Sequence, residues 1–223
     1  MIRLHHCHQT RSMRSLWLLH ELDVPFDLKT YPFDKSLRAA DYLALNPTGR
    51  VPTLELDGQI ICESGAIAQA LCEHAPEAGL GRAVGEKERY AWLNWIHFAE
   101  TISQHCAALT QQHVALYEDH MRSPIIMQLE AKRLAKTLGT VEEGVTASGY
   151  LLESGFSAAD IGVGQAVYMA THFVRLDGFE RVAAWYARLT ARPAFQASLP
   201  PAGEAGLYAQ EFYAPWSVPS ATE

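Results

Sequence analysis

The residues best suited to chemistry lie in three short segments at junctions between predicted elements: 7–12, 50–52 and 63–64. The first segment brings a thiol, an imidazole and two hydroxyls to the start of a predicted helix, and the third begins another helix. The first N–H groups of a helix have no internal partners and carry a partial positive charge. Both helix starts are therefore suited to holding or stabilising an anion.

The second segment has a backbone suited to binding a peptide. Val51 precedes Pro52, and the residue before a proline is restricted to an extended conformation. An extended residue at a sheet edge can exchange backbone hydrogen bonds with a short peptide. We therefore interpret Val51 as a candidate binding residue.

A metal site is not expected, although His5, His6, Cys7 and His8 are consecutive. Alternation along a strand places His6 and His8 on one face, and His5 and Cys7 on the other. The potential ligands are thus divided, and no second cluster with zinc-ligand spacing follows.

Composition excludes several classes of function. The 223 residues include 18 Lys and Arg against 25 Asp and Glu, a net charge of −7, which argues against a nucleic acid partner. The N-terminus resembles a strand rather than a signal peptide, and no apolar run could span a bilayer. Cys7, Cys62, Cys72 and Cys106 form no C-x-x-C motif. We interpret them as reduced thiols in a cytoplasmic protein.

The pattern of elements changes along the chain. Strands are predicted at 2–6, 26–31, 51–56 and 59–62, with helices at 11–22 and 64–74 and a short helix or turn at 36–45. Beyond a linker at 75–85, only helices are predicted, at 86–116, 124–147, 158–173 and 179–191. These patterns predict an α/β domain at 1–78 and an all-helical domain at 86–223. A tail from Leu199, with Tyr208, Phe212, Tyr213 and Trp216, is expected to pack over the surface.

A capping box marks the start of the helix at 158–173. Ser157 is expected to accept from the backbone N–H of Asp160, whose carboxylate reaches back to the N–H of Ser157. Loss of such a cap costs about 0.5–2 kcal/mol. Asp160 is therefore interpreted as a structural residue and not as a catalytic acid.

Three motifs give the chain a resemblance to the cytosolic glutathione transferase family, in its bacterial-type, non-tyrosine form. Residues 46–54 read N-P-T-G-R-V-P-T-L, similar to the family's N-P-x-G-x-V-P-x-L. Residues 63–67 read E-S-G-A-I, similar to its E-S-x-A-I, and 156–161 read F-S-A-A-D-I, similar to its capping box. Each motif is weak alone, but their order and spacing across most of the chain are specific.

The resemblance implies a thioredoxin-like glutathione-binding domain at 1–78 and an all-helical domain with a second-substrate pocket at 86–223. It implies a homodimeric detoxification enzyme that conjugates the glutathione thiolate to a small electrophile. A cis Pro52 is implied, with Val51 on the ligand backbone. Ser64 would bind the γ-glutamyl carboxylate, Glu63 the ammonium, and Arg50 the glycyl carboxylate.

The group that activates the thiol is less well determined. Relatives place a Tyr, Ser or Cys in the first loop, and counting back from the apolar stripe at 16–22 leads to Gln9 or Thr10. We favour Thr10, whose hydroxyl can donate to a thiolate, with Ser12 second. Absence of a tyrosine from this loop disfavours the tyrosine-using classes.

Two alternative functions remain open at this point. Cys7 could form a mixed disulfide with glutathione, which would make the protein a thiol-disulfide reductase or a peroxidase. The fold also serves in non-catalytic binding modules, for which glutathione would be a ligand only.

Overall fold

The computed structural model describes residues 1–204 and 206–215. Trp216, predicted above to belong to the aromatic tail, lies outside this part of the chain. In the described part no helix has the length and apolar character needed to cross a bilayer.

A four-stranded mixed sheet forms the centre of the N-terminal part. The strands are β1 (Ile2–His6), β2 (Asp27–Thr30), β3 (Thr53–Leu56) and β4 (Gln59–Ile61). Their order is β2-β1-β3-β4, with β1 parallel to β2 and antiparallel to β3. Asp57 and Gly58, both at positive φ, make the two-residue turn between β3 and β4. The predicted thioredoxin-like order is confirmed.

Three helices accompany the sheet: α1 (Ser12–Leu22), α2 (Ala40–Leu45) and α3 (Ser64–His74). The apolar stripe of α1 is buried, as its periodicity predicts, and Leu16, Trp17 and Leu19 are each at most 3% exposed. A short 3-10 turn, Lys35–Arg38, precedes α2 in the segment predicted as a short helix or turn.

The C-terminal part is helical, with α4 (Arg89–Thr110), α5 (Pro124–Gly144), α6 (Ala158–Ala170), α7 (Glu180–Thr190) and α8 (Pro193–Ala197). No strand follows Ile61 in the described residues. Helix α4 begins three residues later than predicted, because Glu88 has a left-handed backbone, and it continues into a π-helical turn at Gln111–Ala115. We did not predict α8: Pro193 ends α7 but also starts a new helix.

The capping box at the start of α6 is confirmed. The Asp160 carboxylate accepts from the N–H of Ser157 at 2.9 Å, and the Ser157 hydroxyl also accepts from the N–H of Ala159. The same carboxylate accepts from the backbone N–H of Leu151 and from the indole N–H of Trp185. It therefore fastens α6 to the preceding loop and to α7.

The described part of the tail packs on the protein, as predicted. Tyr208 and Tyr213 are buried, and the Tyr208 ring stacks on His172 with the ring centroids 4.0 Å apart. The Tyr208 hydroxyl lies 2.8 Å from that of Thr110. This segment thereby reaches the side of the helical part that faces the loop after β1.

Candidate active site

One surface groove of about 400 Å³ brings together all five residues predicted to bind the ligand. We call it the Ser64 groove. Its lining is Arg11, Thr48, Arg50, Val51, Pro52, Cys62, Glu63, Ser64 and Glu100. A larger cavity of about 830 Å³ lies by the linker around Arg82 and Trp92 and contains none of the predicted site residues. The Ser64 groove is therefore the candidate site.

The backbone carbonyl of Arg50, directly before Val51, is held by a cluster of buried polar side chains. The Arg50 carbonyl accepts from the Tyr42 hydroxyl and, at 2.9 Å, from the side-chain amide of Asn46. The same two side chains hydrogen-bond the Thr53 hydroxyl. Hydrogen bonds therefore hold the chain both before and after Val51 and Pro52. The Val51–Pro52 peptide bond is cis, which confirms what the resemblance implies.

The backbone of Val51 is available to a ligand. Among residues 1–204 and 206–215, neither its N–H nor its C=O makes a hydrogen bond, and pairing of β3 with β1 begins at Thr53. An unpaired donor and acceptor on an extended residue are the groups that a short peptide uses when it adds to a sheet edge.

The start of α3 provides the anion-binding end of the groove. Glu63 occupies the N-cap position in an extended conformation, and no side chain caps the helix. Ser64 is buried, and its hydroxyl oxygen accepts from the Arg14 guanidinium at 3.1 Å. Because that bond uses a lone pair, the hydroxyl proton of Ser64 is available to an anion alongside the first backbone N–H groups.

Arg14 lies beneath the groove and connects both parts of the chain. Its guanidinium is buried and donates to Ser64, to Glu100 and Ser103 on α4, and to Gln165 on α6. Sequence reasoning missed this residue. The available signal was a charged side chain inside the apolar stripe of a helix, since a buried arginine requires acceptors.

Glu100 is a second groove residue that the sequence did not indicate. It pairs with Arg14 and, at 3.0 Å, with Arg11. Burial acts to raise the pKa of Glu100, but the attraction of Arg14 and Arg11 outweighs it and holds the pKa below its usual value. The groove therefore holds an ionised carboxylate from the helical part at neutral pH.

The candidate thiol-activating hydroxyls lie in one hydrogen-bonded cluster at the start of α1. Thr10 is half-buried, precedes the groove residue Arg11, and donates to the Cys7 carbonyl at 2.8 Å. Ser12 is fully buried, and its hydroxyl contacts His6, Thr10 and the backbone of Cys7. Both assignments stay predictions, and the burial of Ser12 favours Thr10 as the group that meets a ligand.

The Gln9 side chain is hydrogen-bonded to the helical part and to the C-terminal segment. Its φ is positive, its amide donates to the Tyr168 hydroxyl at 3.0 Å, and its carbonyl accepts from the N–H of Tyr208. A Cβ on Gly206 would lie 2.2 Å from the Gln9 side-chain oxygen, so a larger residue there would displace the Gln9 amide. Gln9 thus ties the C-terminal segment to the first loop, and its amide is already used.

The four cysteines are free thiols, and only Cys62 combines partial exposure with a place in the groove. Cys7 is 2% exposed, and burial, with a smaller effect of Asp34, raises its thiol pKa to about 11. Since the thiolate is the reactive species, this environment disfavours Cys7 as a redox group.

Comparison with known proteins identifies the family of this chain. Residues 10–74 match the family model of the glutathione S-transferase N-terminal domain. Glutathione S-transferase 3 of Schizosaccharomyces pombe is 26% identical over 207 residues, 87% of this chain and 85% of the relative. Glutathione S-transferase 4 of Zea mays is 31% identical over 189 residues, 81% and 83% of the two chains.

A solved structure has the same fold. The glutathione S-transferase from Xylella fastidiosa superimposes with a TM-score of 0.79 at 24% identity, covering 89% of this chain and 97% of that one. The maize relative reaches nearly one third identity over most of both chains, and the N-terminal model matches the segment that contains every groove residue except Glu100. The chain belongs to the glutathione S-transferase family.

Proposed function

We propose that this protein conjugates the thiolate of glutathione to a small electrophile, with glutathione bound in the Ser64 groove. The observation that carries the proposal is the convergence of an unpaired Val51 backbone, an uncapped start of α3 and charged side chains of both signs in that one groove. Glutathione is a tripeptide with two carboxylates, an ammonium group and a thiol, and its carboxylates, its ammonium group and its backbone each have a partner in that groove.

The parts of glutathione are assigned as follows. Its peptide backbone pairs with Val51 at the edge of β3, next to Pro52. Its γ-glutamyl carboxylate binds the first N–H groups of α3 and the Ser64 hydroxyl. Its ammonium pairs with Glu63, with Glu100 as a second carboxylate nearby. Its glycyl carboxylate pairs with Arg50.

Thr10 is the proposed donor to the thiolate. Lowering a thiol pKa of about 8.5 by two units requires about 2.7 kcal/mol of preference for the charged form. A helix N-terminus contributes about 0.3–1 kcal/mol at an exposed site, and a hydrogen bond to a charged group about 1.5–3 kcal/mol. The start of α1 and the Thr10 hydroxyl together reach the required value. The helical part, 86–223, would then provide the pocket for the electrophile.

The alternatives receive less support. A reductase or peroxidase would use Cys7, which is buried and has a raised pKa. This alternative predicts a glutathione adduct on Cys7 by mass spectrometry after oxidation, and loss of activity in Cys7→Ser. A non-catalytic module would bind glutathione without turning over a chlorinated aromatic substrate.

Binding is tested by calorimetry on the full chain. We expect Ser64→Ala to weaken glutathione binding by about tenfold or more, since a hydrogen bond to a charged carboxylate is lost. Ser148→Ala, at an exposed position between α5 and α6, is the matched control and should bind like the unaltered protein. Equal affinity of all three proteins would contradict the assigned site, and flat heats for all would contradict the function.

Cys62 offers an independent footprint of the same groove. Alkylation with iodoacetamide should modify Cys62 before the three buried cysteines, Cys7, Cys72 and Cys106. S-methylglutathione has no thiol to consume the reagent, and it should slow the modification if it occupies the groove. An unchanged rate at Cys62 would place the ligand elsewhere.

We also propose that the protein is a cytoplasmic homodimer, the assembly that the family implies. Sedimentation equilibrium should give twice the mass of the chain at micromolar concentration. The mass of a single chain across the whole concentration range would overturn the dimer without affecting the assigned groove.

A further inference from the structure

A continuous chain of hydrogen bonds leads from Thr10 to the C-terminal segment. The Thr10 and Ser12 hydroxyl oxygens are 2.9 Å apart, and Ser12 Oγ lies 2.8 Å from His6 Nδ1. His6 Nε2 lies 3.2 Å from His8 Nδ1, and His8 Nε2 lies 2.8 Å from a carboxylate oxygen of Glu204. We call these five residues the Thr10–Glu204 chain.

We propose that the Thr10–Glu204 chain is a proton relay that carries the thiol proton of bound glutathione to His8, where Glu204 stabilises the resulting charge. The proposal rests on the function proposed above, because it takes the thiol to lie against Thr10. His6, His8 and Glu204 are then positioning and proton-transfer residues that do not touch glutathione.

The direction of the bonds follows from the chemistry of the two imidazoles. Burial and the neighbouring His8 lower the pKa of His6 to about 3, against a smaller opposing effect of Ser12, so its ring is neutral and has one donor and one acceptor nitrogen. The relay starts from a neutral His8 ring, whose Nε2–H donates to the Glu204 carboxylate and whose Nδ1 accepts from His6 Nε2. His6 Nδ1 therefore accepts from the Ser12 hydroxyl, for whose proton the Cys7 carbonyl is a second acceptor. Ser12 accepts from Thr10 when the Thr10 hydroxyl turns away from the Cys7 carbonyl, to which it donates at rest.

A proton entering at Thr10 reverses the three bonds between Thr10 and His8, while His8 Nε2 still donates to Glu204. The thiol gives its proton to Thr10 Oγ1, Thr10 gives its own to Ser12, and Ser12 gives its own to His6 Nδ1. His6 passes the proton on Nε2 to His8 Nδ1, which leaves an imidazolium on His8 paired with Glu204. One proton leaves sulfur and one arrives at His8. In this state the donors of those three bonds point toward the thiolate, and Thr10 donates to it directly.

Burial shields the inner part of the relay from solvent, and the Cys7 carbonyl is the one protein group that competes for the Thr10 and Ser12 protons in the described residues. His6 and Ser12 are each 0% exposed, so bulk water does not compete for their polar atoms. The groups that contact His8 are the His6 ring, the Glu204 carboxylate and the Cys7 thiol, which approaches its backbone carbonyl. The Glu204 side chain is 54% exposed, and this end of the chain can return the proton to solvent.

The test replaces His8 with glutamine, which still offers a donor and an acceptor but takes up no proton. Ultraviolet absorbance of the thiolate, followed against pH in the glutathione complex, should show the bound thiol pKa rising by about one unit in His8→Gln. Glu204→Gln removes only the partly exposed ion pair and should raise the pKa of the bound thiol by about half a unit. His120→Gln and Glu211→Gln, at exposed positions, are the matched controls and should leave the pKa unchanged.

Proton release on binding separates a relay from a purely structural contact. Calorimetry in buffers of different ionisation enthalpy should find almost no proton released by the unaltered protein, since His8 retains it, and about one for each thiolate formed in His8→Gln. If the unaltered protein and His8→Gln bind glutathione with the same thiol pKa and the same proton release, the relay is wrong and the proposed function stands. Absence of binding to the unaltered protein overturns the proposed function, and the relay with it.

Discussion

Thr10→Val is expected to slow turnover of a generic chlorinated aromatic substrate by about 10–100-fold at neutral pH. Valine has the shape of threonine without the hydroxyl, so the change removes one hydrogen bond to the thiolate, worth about 1.5–3 kcal/mol. The bound thiol should accordingly titrate about one to two units higher. Steady-state kinetics across a range of pH measure both effects, and the loss in rate should shrink as the pH approaches the new pKa.

The affinity for glutathione should change little in this variant. The contacts proposed for the carboxylates and the ammonium lie at Ser64, Glu63 and Arg50 and do not involve Thr10. Thr137→Val is the matched control, because Thr137 is a half-buried helical threonine on α5 whose hydroxyl bonds only the carbonyl of Leu134. Unaltered kinetics in Thr10→Val would refute the assignment of Thr10 and direct the search to Ser12 or Gln9.

Asp160→Ala is expected to lower the free energy of unfolding by about 3–5 kcal/mol. The Asp160 carboxylate is 0% exposed and accepts from Ser157, Leu151 and Trp185. Burial raises the pKa of Asp160, and these hydrogen bonds oppose the shift. Removal of the carboxylate leaves several buried donors without an acceptor and also breaks the capping box of α6.

Urea unfolding of the full chain measures this loss as a lower midpoint with an unchanged slope. Asp160→Asn keeps the shape of the side chain and one acceptor oxygen. Its urea midpoint should lie between those of Asp160→Ala and the unaltered protein. Asp177→Asn, at an exposed turn position, should have a free energy of unfolding within about 0.5 kcal/mol of that of the unaltered protein. A loss below about 1 kcal/mol in Asp160→Ala would mean that the carboxylate acts only as a helix cap.

The local parts of the groove were predictable because their signals lie within a few residues of one another. A residue before proline is extended, and a Glu-Ser pair after a strand marks the start of a helix, so Val51 and Ser64 could be identified without a structure. The capping box at Ser157 and Asp160 is equally local, and it is confirmed. Only the fold shows that three of the cysteines are buried, since cysteine count and spacing contain no information on exposure.

Contacts between distant segments were not predictable from periodicity. Arg14 and Glu100 are 86 positions apart and meet because α1 and α4 both pack beneath the groove. Sequence pattern located the proposed thiol-activating position only to within one residue. The structure shows that Gln9 binds the C-terminal segment and that Ser12 is enclosed, which leaves Thr10 as the hydroxyl nearest to the surface.

The sequence by itself determined the order of strands and helices in 1–78, the extended residue before Pro52, the helix start at Ser64 and the capping of α6, because each depends on short-range sterics and hydrogen bonding. Tertiary structure alone decided which polar groups are buried together. It placed Glu204 against His8 across nearly the whole length of the chain, and Arg14 beneath Ser64. Burial and electrostatic partners depend on how distant elements pack, and local sequence patterns do not encode that packing.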